Sequence, residues 1–106
     1  MRQLSSSNSV FVLEDDIHAE WGGEFRSFDE ALSEIRVRSK IAWDQQPNIC
    51  PCQNWKECGR EYSIVEFDSS TTPWTELDRI PVLSVSAKAV SWEAGFEANP
   101  SPGDDA

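Results

Sequence analysis

Residues 27–41 read SFDEALSEIRVRSKI and carry the strongest helix signal in the chain. Ser27 is followed three residues later by Glu30, the capping-box spacing in which side chains satisfy the first free backbone amides of a helix. Acidic residues in the first turn also suit the positive end of the helix dipole. The pattern predicts a helix from Phe28 to about Ile41. Its apolar face consists of Phe28, Ala31, Leu32, Ile35, Ser39 and Ala42.

Segments rich in β-branched and aromatic residues flank this helix and predict strands. They cover residues 9–14, 17–21, 61–67 and 82–92. The first two form a hairpin that turns either at Asp15-Asp16 or at Gly22-Gly23. The run Thr72-Pro73-Trp74 is typical of a helix start and predicts one or two helical turns through Arg79. In the last predicted strand the alternation of apolar and polar residues is interrupted at Ala89-Val90, which predicts a bulge or a strand end there.

The order β-β-α-loop-β-(short α)-β predicts an α+β fold. Helices and strands do not alternate as in parallel α/β proteins, so we expect a small antiparallel sheet of about four strands. The amphipathic helix packs on one face of this sheet, and a long loop rich in cysteine and tryptophan leads to the third strand. A chain of 106 residues is one domain. We expect this domain to span residues 10–96, between flexible tails at residues 1–9 and 97–106.

The charge balance excludes some classes of partner. The chain has 19 acidic and 9 basic residues, which gives a net charge of −10. This charge repels phosphate backbones and disfavours anionic membrane surfaces, so we expect neither nucleic acid nor membrane binding. Mean hydropathy is −0.51, and no apolar run approaches the roughly 18 residues of a membrane helix. The first residues lack the apolar stretch of a signal peptide, so we expect a cytoplasmic protein.

All three cysteines fall within residues 43–60, a loop long enough to suggest a function. Cys50, Cys52 and Cys58 have the spacing C-x-C-x5-C, and thiolates are good zinc ligands. A closed tetrahedral site needs a fourth ligand, which His18, the sole histidine, could supply. A C-x-C pair can also cycle between dithiol and disulfide. The alternative, which the sequence favours, is three ordinary thiols in a reducing compartment with no cofactor.

Tryptophan is unusually frequent, with five residues in 106. This residue type is enriched at the centres of protein interfaces. Trp43, Trp55 and Trp74 lie in or beside proline-containing loops, and Arg60 would place a fixed cation at the mouth of the third strand. These four residues form the predicted surface for a protein partner or for a second copy of the chain. The alternative is that the indole rings cover a small core.

A third hypothesis places a small-ligand or enzymatic site at His18 and its acidic neighbours, Asp15, Asp16 and Glu20. His18 alternates with Ile17 and Ala19 in the predicted second strand, however, and is expected to face solvent. The chain has no nucleophile-elbow motif, no phosphate-binding glycine loop and no HExxH helix, so no catalytic residues are predicted. The sequence therefore favours a small, acidic, non-catalytic interaction module. A zinc or thiol-redox site at the three cysteines is the alternative.

Overall fold

A computed structural model of the chain describes residues 8–49, 58–93 and 96. Its elements are β1 (Ser9–Asp15), β2 (Glu20–Phe25), α1 (Phe28–Arg38), β3 (Gly59–Asp68), β4 (Thr75–Ser86) and β5 (Val90–Trp92). The strands form one antiparallel sheet in the order β2-β1-β3-β4-β5, and α1 packs on one of its faces. The predicted α+β class is confirmed, with five strands where about four were expected. Within the described ranges, no helix is long and apolar enough to cross a membrane.

The hydrophobic core lies between α1 and the sheet. The predicted apolar face of the helix supplies Ala31, Leu32 and Ile35 to it. The strands supply Phe11, Leu13, Tyr62, Ile64, Val82, Leu83 and Val85. Successive residues of a strand point to opposite faces, so only alternate residues of β1 and β3 meet the helix. Val12 and Val65 are paired and fully buried, but they lie outside this cluster on the opposite face of the sheet.

Helix α1 begins as predicted and ends earlier. Ser27 Oγ accepts from the Glu30 amide at 3.1 Å, and the Glu30 carboxylate accepts from the Arg26 amide at 3.0 Å. The last helical residue is Arg38 rather than Ile41. At this end the Arg38 carbonyl accepts from the Ile41 amide, three residues on, at 3.1 Å and from Asn48 Nδ2 at 2.8 Å. A longer helix would instead give that carbonyl to a backbone amide four residues further on.

The turn between β1 and β2 lies at residues 16–19, so the predicted second strand at 17–21 is wrong in its first half. Asp15 Oδ1 accepts from the Ile17 amide at 3.0 Å, which forms a local turn, and Ala19 has a φ of 53°. Gly22 and Gly23 lie inside β2 and do not form the turn. A side chain at Gly22 would place its Cβ 2.7 Å from a guanidinium nitrogen of Arg38, so the arginine side chain would have to shift.

The short helix predicted after Pro73 is also wrong, because β4 begins there. Its first residues, Thr75–Arg79, pair with the C-terminal half of β3. Sheet pairing with a distant segment therefore overrides the local helix-start signal. The interruption at Ala89-Val90 is a strand end. β4 ends at Ser86, and the chain then turns back so that Val90 of β5 pairs with Val85.

Candidate metal centre

Asp15 ends β1 and lies at the centre of a polar cluster at this end of the sheet. Its side chain is 1 % exposed, so its acceptor atoms depend on protein donors. Oδ1 accepts from the backbone amides of Ile17 at 3.0 Å and Glu61 at 3.1 Å. Oδ2 accepts from Arg60 Nη1 at 3.0 Å and lies 2.6 Å from His18 Nδ1. These four partners fix the carboxylate in place.

His18 lies in the β1–β2 turn, and Asp15 orients its ring. In the neutral ring the Nδ1 proton faces the carboxylate, which leaves the Nε2 lone pair on the other side. Nε2 lies 3.6 Å from Sγ of Cys58, the residue that precedes β3. The His18 side chain is only 13 % exposed, so the prediction that it faces solvent is wrong. Strand alternation does not apply to it, because residues 16–19 form a turn.

This contact between imidazole and thiol suits two kinds of chemistry. Two ligands of one tetrahedral zinc ion, with bonds of about 2.0–2.1 Å to nitrogen and about 2.3 Å to sulfur, stand about 3.5 Å apart. The observed separation of 3.6 Å between Nε2 and Sγ agrees with that geometry. A histidine that takes the proton of a neighbouring cysteine can also produce a nucleophilic thiolate at such a distance. The carboxylate–imidazole–thiol order of Asp15, His18 and Cys58 is compatible with both.

The structure brings together two of the four predicted metal ligands, His18 and Cys58. The other two, Cys50 and Cys52, lie outside the described residues. Among the residues that the structure does describe, no group of three or more His, Cys, Asp or Glu side chains is placed to hold a metal ion. Asp15 contacts the imidazole nitrogen that faces away from the sulfur, so it supports the histidine without itself being a ligand.

Arg60 is buried at the start of β3 and connects Asp15 with the loop that follows α1. Nη1 donates to Asp15 and also to Glu20 Oε1, the latter at 2.6 Å. Nε and Nη2 donate to the carbonyl oxygens of Asn48 at 3.1 Å and Ile49 at 2.7 Å. Burial by itself would lower the pKa of Arg60, but the bond to Glu20 and the charge of Asp15 outweigh it and raise the pKa. The structure thus places this predicted partner-binding cation inside a polar cluster.

A cleft of about 370 Å³ opens beside the cluster. Asp15, Arg60 and Tyr62 contribute to its walls. Among the described residues, His18 and Cys58 do not line this cleft.

Tyr62 anchors the loop after α1 to the sheet. Its hydroxyl donates to Asn48 Oδ1 at 2.9 Å, and the Arg38 guanidinium lies 5.3 Å from the centre of its ring. Burial raises the pKa of Tyr62, although the two neighbouring arginines oppose this effect. Asn48 thereby joins α1 to β3: its side-chain amide donates to the carbonyl oxygen at the end of the helix, and its side-chain and backbone oxygens accept from Tyr62 and Arg60 of β3.

The predicted tryptophan surface is not assembled by the described residues. Trp43 is partly buried and packs against the main core. Trp74 lies on the other face of the sheet, where it stacks with Trp21 at a centroid distance of 6.0 Å. Trp55 lies outside the described residues.

Sequence reasoning missed the roles of Asp15 and Asn48. The spacing Asp15-x-x-His18 was the available signal, because residues three apart can meet within one turn but not along one strand. No comparable local signal points to Asn48, whose partners lie between 7 and 14 residues away.

Comparison with known proteins gives no match: no family model, no curated protein and no solved structure is similar to this chain. A proposal for the function of this chain therefore rests on the geometry of the Asp15 cluster.

Proposed function

We propose that this protein is a non-catalytic module that binds one zinc ion through His18 and Cys58, with Cys50 and Cys52 completing the ligand set. The observation that carries the proposal is the separation of 3.6 Å between His18 Nε2 and Cys58 Sγ, with Nδ1 of the same ring held by a buried carboxylate. A Cys₃His set is a common ligand combination of structural zinc sites.

The surroundings of His18 have the form expected around a zinc ligand. Metal-bound histidines usually donate their second ring nitrogen to a carboxylate or carbonyl, which fixes the tautomer and makes the ring a better ligand. Asp15 provides this carboxylate at 2.6 Å from Nδ1. It is itself held by two backbone amides and by Arg60, so the imidazole is supported before any metal arrives.

The residues on both sides of the segment that carries Cys50 and Cys52 are attached to this cluster. Ile49 accepts from Arg60 Nη2 through its carbonyl oxygen at 2.7 Å, and Cys58 contacts His18. A shared metal would therefore join the β1–β2 turn, the start of β3 and the loop between α1 and β3. Four protein ligands leave no open position for substrate, which is why the proposed role is structural.

Metal analysis and cobalt substitution test the proposal. We expect one equivalent of zinc in protein purified without a metal-affinity column, and Co²⁺ in its place should show thiolate charge-transfer bands. His18→Gln and Cys58→Ser should each weaken zinc binding at least about 100-fold. Asp15→Asn should weaken it about 10- to 100-fold through loss of the carboxylate behind the ring.

Asp16→Asn is the matched control, because Asp16 bonds to Arg79 and to Ser63 instead of the imidazole. Its zinc affinity should equal that of the wild type. The proposal is wrong if the wild-type protein binds no zinc at micromolar concentrations, or if His18→Gln and Cys58→Ser retain full affinity. A different result would identify the pair as a thiol–imidazole site: the protein binds no metal, and Cys58 is alkylated rapidly in the wild type but slowly in His18→Gln.

A further inference from the structure

The face of the sheet opposite α1, which we call the open face, is the face that carries Val12 and Val65. No described helix packs on it. Residues paired across antiparallel strands share a face. The register therefore puts Glu24 beside Val12 and Trp21 beside Glu14 on the open face. Phe67 lies on the same face, two residues beyond Val65 along β3.

Three aromatic rings form a cluster on the open face. Trp21 lies 5.4 Å from Phe67 and 6.0 Å from Trp74 between ring centroids, and its ring is inclined by 23° to that of Trp74. Phe67 and Trp74 are 6.1 Å apart. Trp21 remains 48 % exposed even so. A large ring that is packed on one side and open on the other is the type of residue that anchors protein interfaces.

Carboxylates share the open face with these rings. The open face carries Glu14, Glu24, Glu61 and Glu76 by strand register, and Asp16 by its contact with Arg79. Of the described residues that the register puts on this face, Arg79 is the single base. It is already bonded to Glu14, Asp16 and Glu76, and the bond to Glu76 raises its pKa. The face therefore has a local excess of negative charge next to exposed aromatic surface.

We infer that the open face binds a basic, arginine-containing segment of a protein partner. A guanidinium group can stack on the exposed ring of Trp21 while its N–H groups donate to neighbouring carboxylates. Charge disfavours the other occupants: a second copy of this chain also carries a net charge of −10, and nucleic acid is an anion. This inference does not depend on zinc binding.

An octa-arginine peptide is the probe, with octalysine as the peptide of equal charge. Binding is followed by the intrinsic tryptophan fluorescence of the protein and by calorimetry at low and physiological salt. We expect octa-arginine to bind about fivefold more tightly than octalysine, because the planar guanidinium stacks on indole. Trp21→Ala should weaken octa-arginine binding about five- to tenfold and remove the preference for arginine.

A pair of charge reversals separates the open face from general attraction to an acidic protein. Glu24→Lys and Asp44→Lys each replace an exposed acid and raise the net charge by two. Asp44 lies in the loop after α1, next to Trp43, which packs against the core on the α1 side of the sheet. We expect Glu24→Lys to weaken octa-arginine binding at least about fivefold more than Asp44→Lys does. Glu24→Lys also keeps the aromatic cluster intact, so it remains informative if Trp21→Ala unfolds.

Equal effects of Glu24→Lys and Asp44→Lys would overturn the inference, since binding would then follow only the net charge. Equal affinity for octa-arginine and octalysine would overturn it as well. Light scattering that shows a dimer sensitive to Glu24→Lys would identify a second copy of the chain as the occupant instead.

Discussion

Replacing Asp15 by asparagine tests the polar cluster most directly. The two oxygen atoms of the Asp15 carboxylate have different partners. Oδ1 accepts from the amides of Ile17 and Glu61, whereas Oδ2 faces Arg60 and His18. The amide oxygen of asparagine can keep the first pair of bonds. Its NH₂ group would then face two other donors, because Arg60 Nη1 and His18 Nδ1 both point at Oδ2.

The expected cost follows from the bonds that are lost. A hydrogen bond to a charged group contributes about 1.5–3 kcal/mol, and removal of one member of a buried ion pair costs about 3–5 kcal/mol. Glu20 still accepts from Arg60 Nη1 at 2.6 Å, so the guanidinium keeps one carboxylate partner. We therefore expect Asp15→Asn to lower the free energy of unfolding by about 3 kcal/mol. In a domain of this size, that corresponds to a fall in Tm of about 12–24 °C.

Urea unfolding at pH 7, with a chelator present, measures this effect without a contribution from bound metal. Tryptophan fluorescence and far-UV circular dichroism should give the same transition. Glu20→Gln is the control, because Glu20 bonds the same Arg60 atom but its side chain is 51 % exposed. Exposed ion pairs contribute little, so Glu20→Gln should cost less than about 1 kcal/mol. The reasoning is refuted if Asp15→Asn costs under 1 kcal/mol or if the two variants cost the same.

Two further substitutions test the anchors of the cluster and of the helix. Tyr62→Phe should cost about 1–2 kcal/mol at pH 7, because Asn48 Oδ1 loses its donor. Because the pKa of Tyr62 is raised, the native state keeps the phenol proton that the unfolded chain loses above about pH 10. The free energy of unfolding of the wild type should therefore fall above about pH 10, whereas that of Tyr62→Phe should not. Urea unfolding at pH 7 to 11 should show the difference between the two free energies becoming smaller as the pH rises. A difference that stays constant would contradict this prediction. Ser27→Ala should cost about 1 kcal/mol through loss of the bond to the Glu30 amide. Ser33→Ala, at an exposed position inside the same helix, should be neutral or slightly stabilising, because alanine has the higher helix propensity. Equal effects of the two substitutions would show that the cap contributes nothing.

Local patterns were sufficient for the elements whose signals lie within a few residues. The capping box at Ser27 predicted the start of α1, because donor and acceptor are three residues apart. The apolar periodicity predicted which helical residues face the core, and β-branched runs predicted β1 and β3. The class followed from the order of these elements. Predictions failed where a local signal competed with a distant partner, as at Thr75–Arg79, which pairs with β3.

The candidate site also combines features that local sequence patterns predict with features that depend on distant contacts. Composition and spacing by themselves determined which side chains could bind a metal: three cysteines close together and one histidine. Only the tertiary structure decided that His18 meets Cys58, which is 40 residues away, and that Asp15 rather than Asp16 supports the ring. The reason is geometric: neighbouring residues at a strand end point to opposite faces, so a turn that starts one residue earlier or later exchanges their partners. The Asp15 carboxylate that starts the turn also accepts from the Glu61 amide of β3, a contact that no local pattern contains.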